Sequence, residues 1–336
     1  MSVADSPDGI DVRLGDGVTV ATPDLGEIRL DGGVADASRN ILSHAHGDHL
    51  FDTHGEAPIV CSDLTARLVA ARRDAEFEST PSGDGITLLP AGHVAGSRAA
   101  LIESDAGTVL YTGDVSTRSR YYLDGFEPVP ADVLVIETTY GRPAYRFPPV
   151  EAVEAAAVEW LAAHDDRPAL LFGYTLGKAQ KILKVLERAD LDRVFTTDAI
   201  LRMNEVIAEE LGVSFAARRL DTDVDLGGGD AVVLPSGVGR FEWVERLRAD
   251  SAAVTAGFSG WAADESYVYR RNVDAGFQLS DHGDFGELLA VVESVDPEIV
   301  YTTHGFTREF ATELTRRGYA ARALEANQAT LGDFSS

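Results

Sequence analysis

Up to Tyr140-Gly141 the apolar residues come in short runs, with glycine and aspartate between them. Such runs predict strands over 11–14, 17–22 and 27–30, and another ending at Ile41-Leu42. Further strands are expected at 85–89, 98–103, 108–112 and 133–137, with one helix at 64–74. The expectation for this half is antiparallel β structure with few helices. After Gly141 longer helical patterns alternate with apolar runs: helix 150–164, strand 169–172, helix 177–188, strand 193–196, helix 201–211, then strands 231–234 and 252–256. Alternation of this kind implies a parallel α/β unit. From Gly276 the order is strand 277–280, helix 285–295, strand 298–303. The chain therefore reads as a β-rich domain (1–143), an inserted α/β cassette (144–274) and a segment that completes the first domain (275–336).

The 336 residues are 45% hydrophobic, ample for one large core or two ordinary ones. No stretch is apolar and long enough to span a bilayer; the best, Ala152 to Ala163, is short and broken by Glu154 and Glu159. Met1 to Asp11 has neither a basic nor an apolar segment of a secretory signal, so a soluble cytoplasmic protein is expected. The single cysteine, Cys61, excludes an internal disulfide and a multi-thiolate metal site, and reads as a small buried hydrophobe.

Charge changes the picture more. There are 55 acidic residues against 29 Lys and Arg, giving a formal charge of −26. Lysine occurs only at 178, 181 and 184. At about 1 M salt the Debye length is about 3 Å, so such self-repulsion is strongly screened. An acidic, lysine-poor surface therefore predicts a halophilic, archaeal host. The net charge argues against general nucleic-acid binding but leaves room for a local basic or metal site.

The segment Ser43-His44-Ala45-His46-Gly47-Asp48-His49 holds three of the chain's eight histidines directly after an apolar strand. His44 and His46 are two apart and point the same way if the strand continues. Imidazoles and a carboxylate suit a borderline divalent cation such as zinc, and four donors so close suggest two adjacent ions. His-Ala-His-Gly-Asp-His resembles the HxHxDH motif of the metallo-β-lactamase superfamily. The resemblance implies an αββα sandwich. It also implies that His44, His46 and His93 hold one Zn2+, that Asp48, His49 and His304 hold a second, and that Asp114 bridges them. Asp31, in Leu-Asp-Gly-Gly, resembles the superfamily's upstream structural aspartate. The attacking group would be solvent-derived, and no Gly-x-Ser-x-Gly elbow or Walker loop points elsewhere.

The cassette narrows the choice. Glu137 in Val-Ile-Glu-Thr-Thr-Tyr-Gly resembles the acidic first motif of the β-CASP nucleases, and His282 in Leu-Ser-Asp-His-Gly-Asp-Phe resembles their Ser-x-His-x-Asp motif. The resemblance covers nearly the whole chain and implies an inserted parallel α/β β-CASP cassette. It implies catalytic roles for Asp48, for His282 as general acid, and for Glu137 as the group that orients it. His54 and His164 match no motif and read as surface residues. Gly173 to Gln180 resembles a segment of bacterial exonucleases associated with DNA ligase, as do Gly257 to Trp261 and Gly276 to Phe285. There Thr175, Gly177 and Lys178 are expected to hold a substrate phosphate at a helix N-terminus, with Lys181 and Lys184 extending a basic stripe. Archaeal messenger-RNA 3′-end processing factors are similar too, although the N-terminal KH domains of their longer members are not expected here. His304 leans toward RNA, since DNA-repair members related to Artemis often carry valine there.

The expected function is a metal-dependent nuclease acting on phosphodiester bonds of RNA or DNA. The alternative is a small-molecule hydrolase, a thioesterase or lactonase. Expected partners are single-stranded or end-containing nucleic acid and a second copy in a homodimer, with no membrane. The acidic surface yields one measurement: the melting temperature should rise between about 0.1 M and about 1 M salt, and greater stability at the dilute end would contradict the halophilic reading.

Overall fold

A computed structural model of the chain describes residues 7–54, 59–221 and 224–325. Val133–Thr138 shows how the sequence builds it. All six residues, Val-Leu-Val-Ile-Glu-Thr, are buried, because the strand is covered on both faces. Val133 and Val135 face a second sheet, while Leu134 and Ile136 face helices. Its sheet runs, in order, Ala321–Ala323, Ile299–Gly305, Val133–Thr138, Gly107–Tyr111, Arg98–Ser104 and Ile86–Pro90. The facing sheet runs Asp11–Leu14, Val18–Thr22, Gly26–Leu30, Arg39–Ile41, Ile59–Val60 and Ser79–Thr80. Ile28, Leu30 and Ile41 of one meet Ile102, Val109 and Ile299 of the other in the central core.

Eight α-helices lie among the described residues: α1 (Asp63–Arg73), α2 (Val150–Ala162), α3 (Lys178–Leu186), α4 (Asp198–Leu211), α5 (Glu242–Asp250), α6 (Tyr267–Arg271), α7 (Phe285–Val295) and α8 (Thr307–Arg316). Leu64, Leu68 and Val69 of α1 cover the outer face of the first sheet at Leu42 and Ile59. Phe285, Leu288 and Val292 of α7 and Phe310 and Leu314 of α8 cover the second. The layers are thus helix, sheet, sheet, helix, the αββα sandwich of the metallo-β-lactamase fold.

The third sheet is the cassette's. Its order is Arg218–Arg219, Arg193–Thr196, Asp230–Pro235, Ala169–Gly173, Val254–Phe258 and Ala275–Phe277, and every pairing is parallel. Helices α2 and α3 bury Val153, Ala157, Ile182 and Leu183 on one face, and Val244 of α5 lies on the other. Met203 and Ile207 of α4 join the cluster around α1, so the cassette rests on the helix beside the histidine segment.

Three expectations are corrected. The first half is not simply antiparallel: Gly26–Leu30, Arg39–Ile41, Ile59–Val60 and Ser79–Thr80 pair in parallel, as do Gly107–Tyr111 and Val133–Thr138. Parallel neighbours need long crossovers, which local turn residues do not announce. Ala275–Phe277, expected to open the completing segment, is an edge strand of the cassette sheet. Helices α5, α6 and α8 were not among the expected elements; they bury Val244, Tyr267, and Phe310, Ala311 and Leu314 respectively. No helix among the described residues is long and apolar enough to cross a membrane.

The strands Arg39–Ile41, Gly107–Tyr111, Val133–Thr138 and Ile299–Gly305 end on the same side: the chain leaving the first two carries His44 to His49 and Asp114, and the last residues of the other two include Glu137 and His304. The sheet supporting them should be sensitive to lost volume. Leu134→Ala, at a fully buried position, is expected to cost about 2–5 kcal/mol in denaturant unfolding, and a loss under about 1 kcal/mol would show that the strand is not the shared support of both faces.

Candidate metal centre and acid pair

Four imidazoles and one carboxylate converge where the two large sheets meet the cassette. His44 Nε2 and His93 Nε2 lie 3.0 and 3.2 Å from His46 Nδ1. His44, His93 and His49 bring Nε2 to 3.5, 3.4 and 3.5 Å from Asp114 Oδ2. The approach of Asp114 requires Gly113: its φ is +53°, and a Cβ there would lie 2.7 Å from the Ser43 Cβ.

The far nitrogen of each ring is tethered to oxygen, which fixes the tautomer. His93 Nδ1–H donates to the Asp281 carbonyl (3.2 Å) and His46 Nε2–H to the Leu176 carbonyl (3.1 Å). His49 Nδ1–H donates to Asp31 Oδ2 at 2.9 Å. Ser43 Oγ–H donates to Asp31 (2.6 Å), so it can only accept from His44 Nδ1–H (2.9 Å). Every inward nitrogen therefore presents a lone pair in the neutral ring. Burial disfavours the charged form of His44, His46 and His93, holding all three below the usual histidine range. Three lone pairs facing one another about a carboxylate repel unless a cation sits between them, so the donor set fits a divalent metal. The atoms of His44, His46, His93 and Asp114 lie within 4.8 Å of one another.

Asp31 is the hub of this arrangement. Its φ is +52°, and its buried carboxylate accepts from Ser43 N, Ser43 Oγ, His49 Nδ1 and the Tyr111 hydroxyl. Burial works against a charged His49, but Asp114 and Asp31 more than offset it and lift its proton affinity well above the usual range. Two carboxylates that favour a proton on that ring favour a cation beside it for the same reason.

His282 stands next to the cluster, with Nε2 3.9 Å from Asp114 Oδ2 and Nδ1 2.8 Å from Glu137 Oε1. Glu137 also accepts from the amides of Val115 and Thr139. The loop bearing His282 is fastened on both sides. Ser280 Oγ accepts from the His282 amide, and Asp284 caps α7 while pairing with Arg118. Asp281 is buried between Lys178 Nζ (3.0 Å) and Lys181 Nζ, and Lys181 also donates to the His93 carbonyl. Burial alone would raise Asp281, yet the two ammonium groups hold it well below the usual carboxylate range, while burial lowers Lys181 to about 7.

The expected residues are thus divided. His44, His46, His49, His93, Asp114, Glu137 and His282 come together. Asp48 and His304 line the same cavity, of about 430 Å³, from its exposed rim and join none of the tight groups. His304 stacks on His49 at 5.7 Å between centroids and sits at φ +54°, a left-handed strain that commonly marks functional positions. The phosphate cradle is corrected. Lys178 is bound to Asp281 and the Leu279 carbonyl, Gly177 N donates to Gln180 Oε1, and Lys181 is fully buried, so only Thr175 remains half-open to the cavity. Lys184 binds Glu187 and the Ser214 carbonyl, so there is no basic stripe. His164 is half-buried, bonded to the Trp160 carbonyl rather than free on the surface; the His54 side chain lies outside the described residues. Cys61 is buried and its thiol is pushed up to about 12. Sequence reasoning missed Ser43, Tyr111 and Asp281. The restriction of lysine to one segment was the available signal for Asp281's partners.

No family model matches the sequence. The chain is 38% identical over 314 residues to a "Probable DNA ligase" of Opitutus terrae, a match covering 89% of this chain and 30% of that protein. It is 31% identical over 179 residues to the "5' exonuclease Apollo" of Gallus gallus, covering 48% and 37%. The chain thus spans about a third of the length of these relatives. A crystal structure of a protein of unknown function from Enterococcus faecalis matches with a TM-score of 0.63 over 94% of this chain and 96% of that one, at 14% identity, a likeness of fold alone.

The tethers are testable without turnover. Asp31→Asn should lower retention of a divalent ion by about 10–100-fold in competition with a chelator; unchanged retention would mean that Asp31 does not orient the ligands.

Proposed function

The chain belongs to the β-CASP branch of the metallo-β-lactamase superfamily, and from that premise we propose that it is a metal-dependent nuclease that hydrolyses phosphodiester bonds of RNA or DNA. The observation that carries the reading is the His282–Glu137 pair, placed 3.9 Å from the carboxylate at the centre of the imidazole cluster. Expulsion of a ribose or deoxyribose oxygen needs a proton, whereas a thiolate leaves without one. A thioesterase would have no use for this pair.

His44, His46 and His93 would hold one ion, Asp48, His49 and His304 a second, and Asp114 would lie between them. Imidazole and carboxylate donors without thiolate suit Zn2+. When bound, two such cations supply hydroxide near neutral pH and offset charge that develops on the phosphate. The protein's own groups do the rest. Nδ1–H of His282 donates to Glu137, so the proton delivered to the leaving oxygen is the one on Nε2. Asp31 and the carbonyls of Leu176 and Asp281 hold the other rings in their tautomers.

Burial opposes a charged His282, but Glu137 and Asp114 outweigh it and raise the ring from 6.5 to about 9. The acid is therefore loaded at neutral pH, and activity is lost as pH rises through its pKa.

The relatives named as a DNA ligase and a 5′ exonuclease support a DNA end and a repair setting. His304 supports RNA processing by its resemblance to the RNA-cleaving members. Strands labelled at either end, offered as RNA and as DNA and analysed by product length, separate the two and test the reading itself: no cleavage of any strand by metal-loaded protein would refute it.

His282→Ala should keep its metal and lose about 10²–10⁴ in kcat on oligonucleotides, with a much smaller loss on a p-nitrophenyl phosphodiester, whose leaving group needs no proton. Equal losses on both substrates would remove His282 from the role of acid. Glu137→Gln should shift the alkaline limb of kcat to lower pH, and a limb that stays in place would show that Glu137 does not support the imidazolium.

A further inference from the structure

Two residues that line the cavity are used by nothing described so far. Tyr174, from the turn before α3, is 57% exposed, and its ring centroid lies 6.2 Å from that of His46. Arg72, in the last turn of α1, lines the same cavity. Its Nε is buried without a partner, and it makes no ion pair among the described residues; the carboxylate whose charge acts on it, Asp48, stands on the same rim. The other Lys or Arg side chain in the lining, Lys178, is locked on Asp281.

A chain of charge −26 repels a polyanion at long range, so affinity must come from short-range contacts. Nucleobases all have a π-face, and an exposed tyrosine offers a stacking surface to any of them. In a duplex those faces are already stacked on one another. The cavity, about 430 Å³, lies within the usual range for small ligands, about 300–1,000 Å³, and cannot enclose a double helix. Trp261, held against Tyr140 at 4.8 Å and Tyr145 at 5.2 Å, adds a rigid aromatic wall, and Tyr140 in turn lies 6.0 Å from His282.

We propose that Tyr174 and Arg72 form a subsite for one unstacked nucleotide of a single-stranded nucleic-acid end. The base stacks on Tyr174 and a phosphate pairs with the Arg72 guanidinium. This rests on the nuclease reading above and adds the class of substrate to it. With so few phosphates neutralised, binding depends shallowly on salt: each neutralised phosphate of a single strand contributes about −0.7 to the slope of log K against log salt.

The test is fluorescence anisotropy with a labelled single strand and the matching blunt duplex. Metal-loaded His282→Ala protein is used so that the probe is not consumed, and the cleavage assay is run in parallel on protein that retains His282. In the His282→Ala background, Tyr174→Ala is expected to weaken single-strand binding about tenfold, within the span of base–aromatic stacking, while Tyr174→Trp restores it. Arg72→Gln should weaken binding and flatten the salt slope by about 0.7. The duplex should bind more weakly than the strand. Unchanged binding in Tyr174→Ala, or a duplex held as tightly as the single strand, overturns the subsite. The two readings fail separately. Cleavage by protein with His282 intact, together with unchanged binding in Tyr174→Ala, removes only the subsite. Tyrosine-dependent binding without any cleavage removes only the nuclease. A chain that neither binds nor cleaves removes both.

Discussion

The centre of this protein is an arrangement that neutral side chains alone would not adopt: three imidazole nitrogens with no proton between them, 3.0 and 3.2 Å apart, on two buried rings and one half-buried ring. Each ring is prevented from turning away because its other nitrogen is committed to an oxygen. The commitments run outward into the scaffold, through Ser43 to Asp31, to the carbonyl before Gly177, and to the carbonyl of Asp281. Repulsion built into a rigid frame is stored affinity for a cation, because binding relieves it without reorganising the frame.

The same frame couples the two halves of the molecule. Leu176 belongs to the cassette and holds His46; Asp281 holds His93 through its carbonyl and Lys178 and Lys181 of α3 through its carboxylate. A buried carboxylate between two buried ammonium groups is costly to break, since removing one partner strands the others in low dielectric. The position of α3 is thus tied to the loop that carries His282. The cassette does more than cover the cavity: its helix helps set the distance between His282 and the cluster.

This coupling marks what could be read in the sequence. Histidines and acids crowded into His44 to His49, with His93 and Asp114 following, stood out because several imidazole and carboxylate donors at close spacing suit a divalent ion, and the structure brings His44, His46, His93 and Asp114 within 4.8 Å of one another. Glu137 and His282 were legible through the short motifs around them. The elements of the cassette were legible because helices and strands alternate with distinct periods. What failed was everything decided by approach in three dimensions. Parallel pairing in the first sheet depends on crossovers, and the extent of the cassette sheet depends on Ala275–Phe277 choosing Val254–Phe258 as its partner. The lysines failed for a related reason. A Lys at a helix start looks the same in sequence whether it meets solvent, a phosphate or a buried aspartate, and Asp281 is 100 or more residues away.

The lysines also explain why a chain of this charge keeps them at all. Arginine makes the exposed ion pairs, as in Arg13 with Glu27 and Arg67 with Glu209 and Glu210. Such pairs contribute little, about 0–1 kcal/mol each, and are screened by salt. Lys178 and Lys181 are 3% and 0% exposed, and their contacts are hidden from ions in solution. Both ammonium groups are withdrawn from solvent beside Asp281. A compact, three-donor head also suits this place better than a planar guanidinium would, because Lys181 must reach a carboxylate and the His93 carbonyl at once. The two buried lysines in an otherwise lysine-poor chain therefore point to an interior task, and that task is to hold the loop that carries His282.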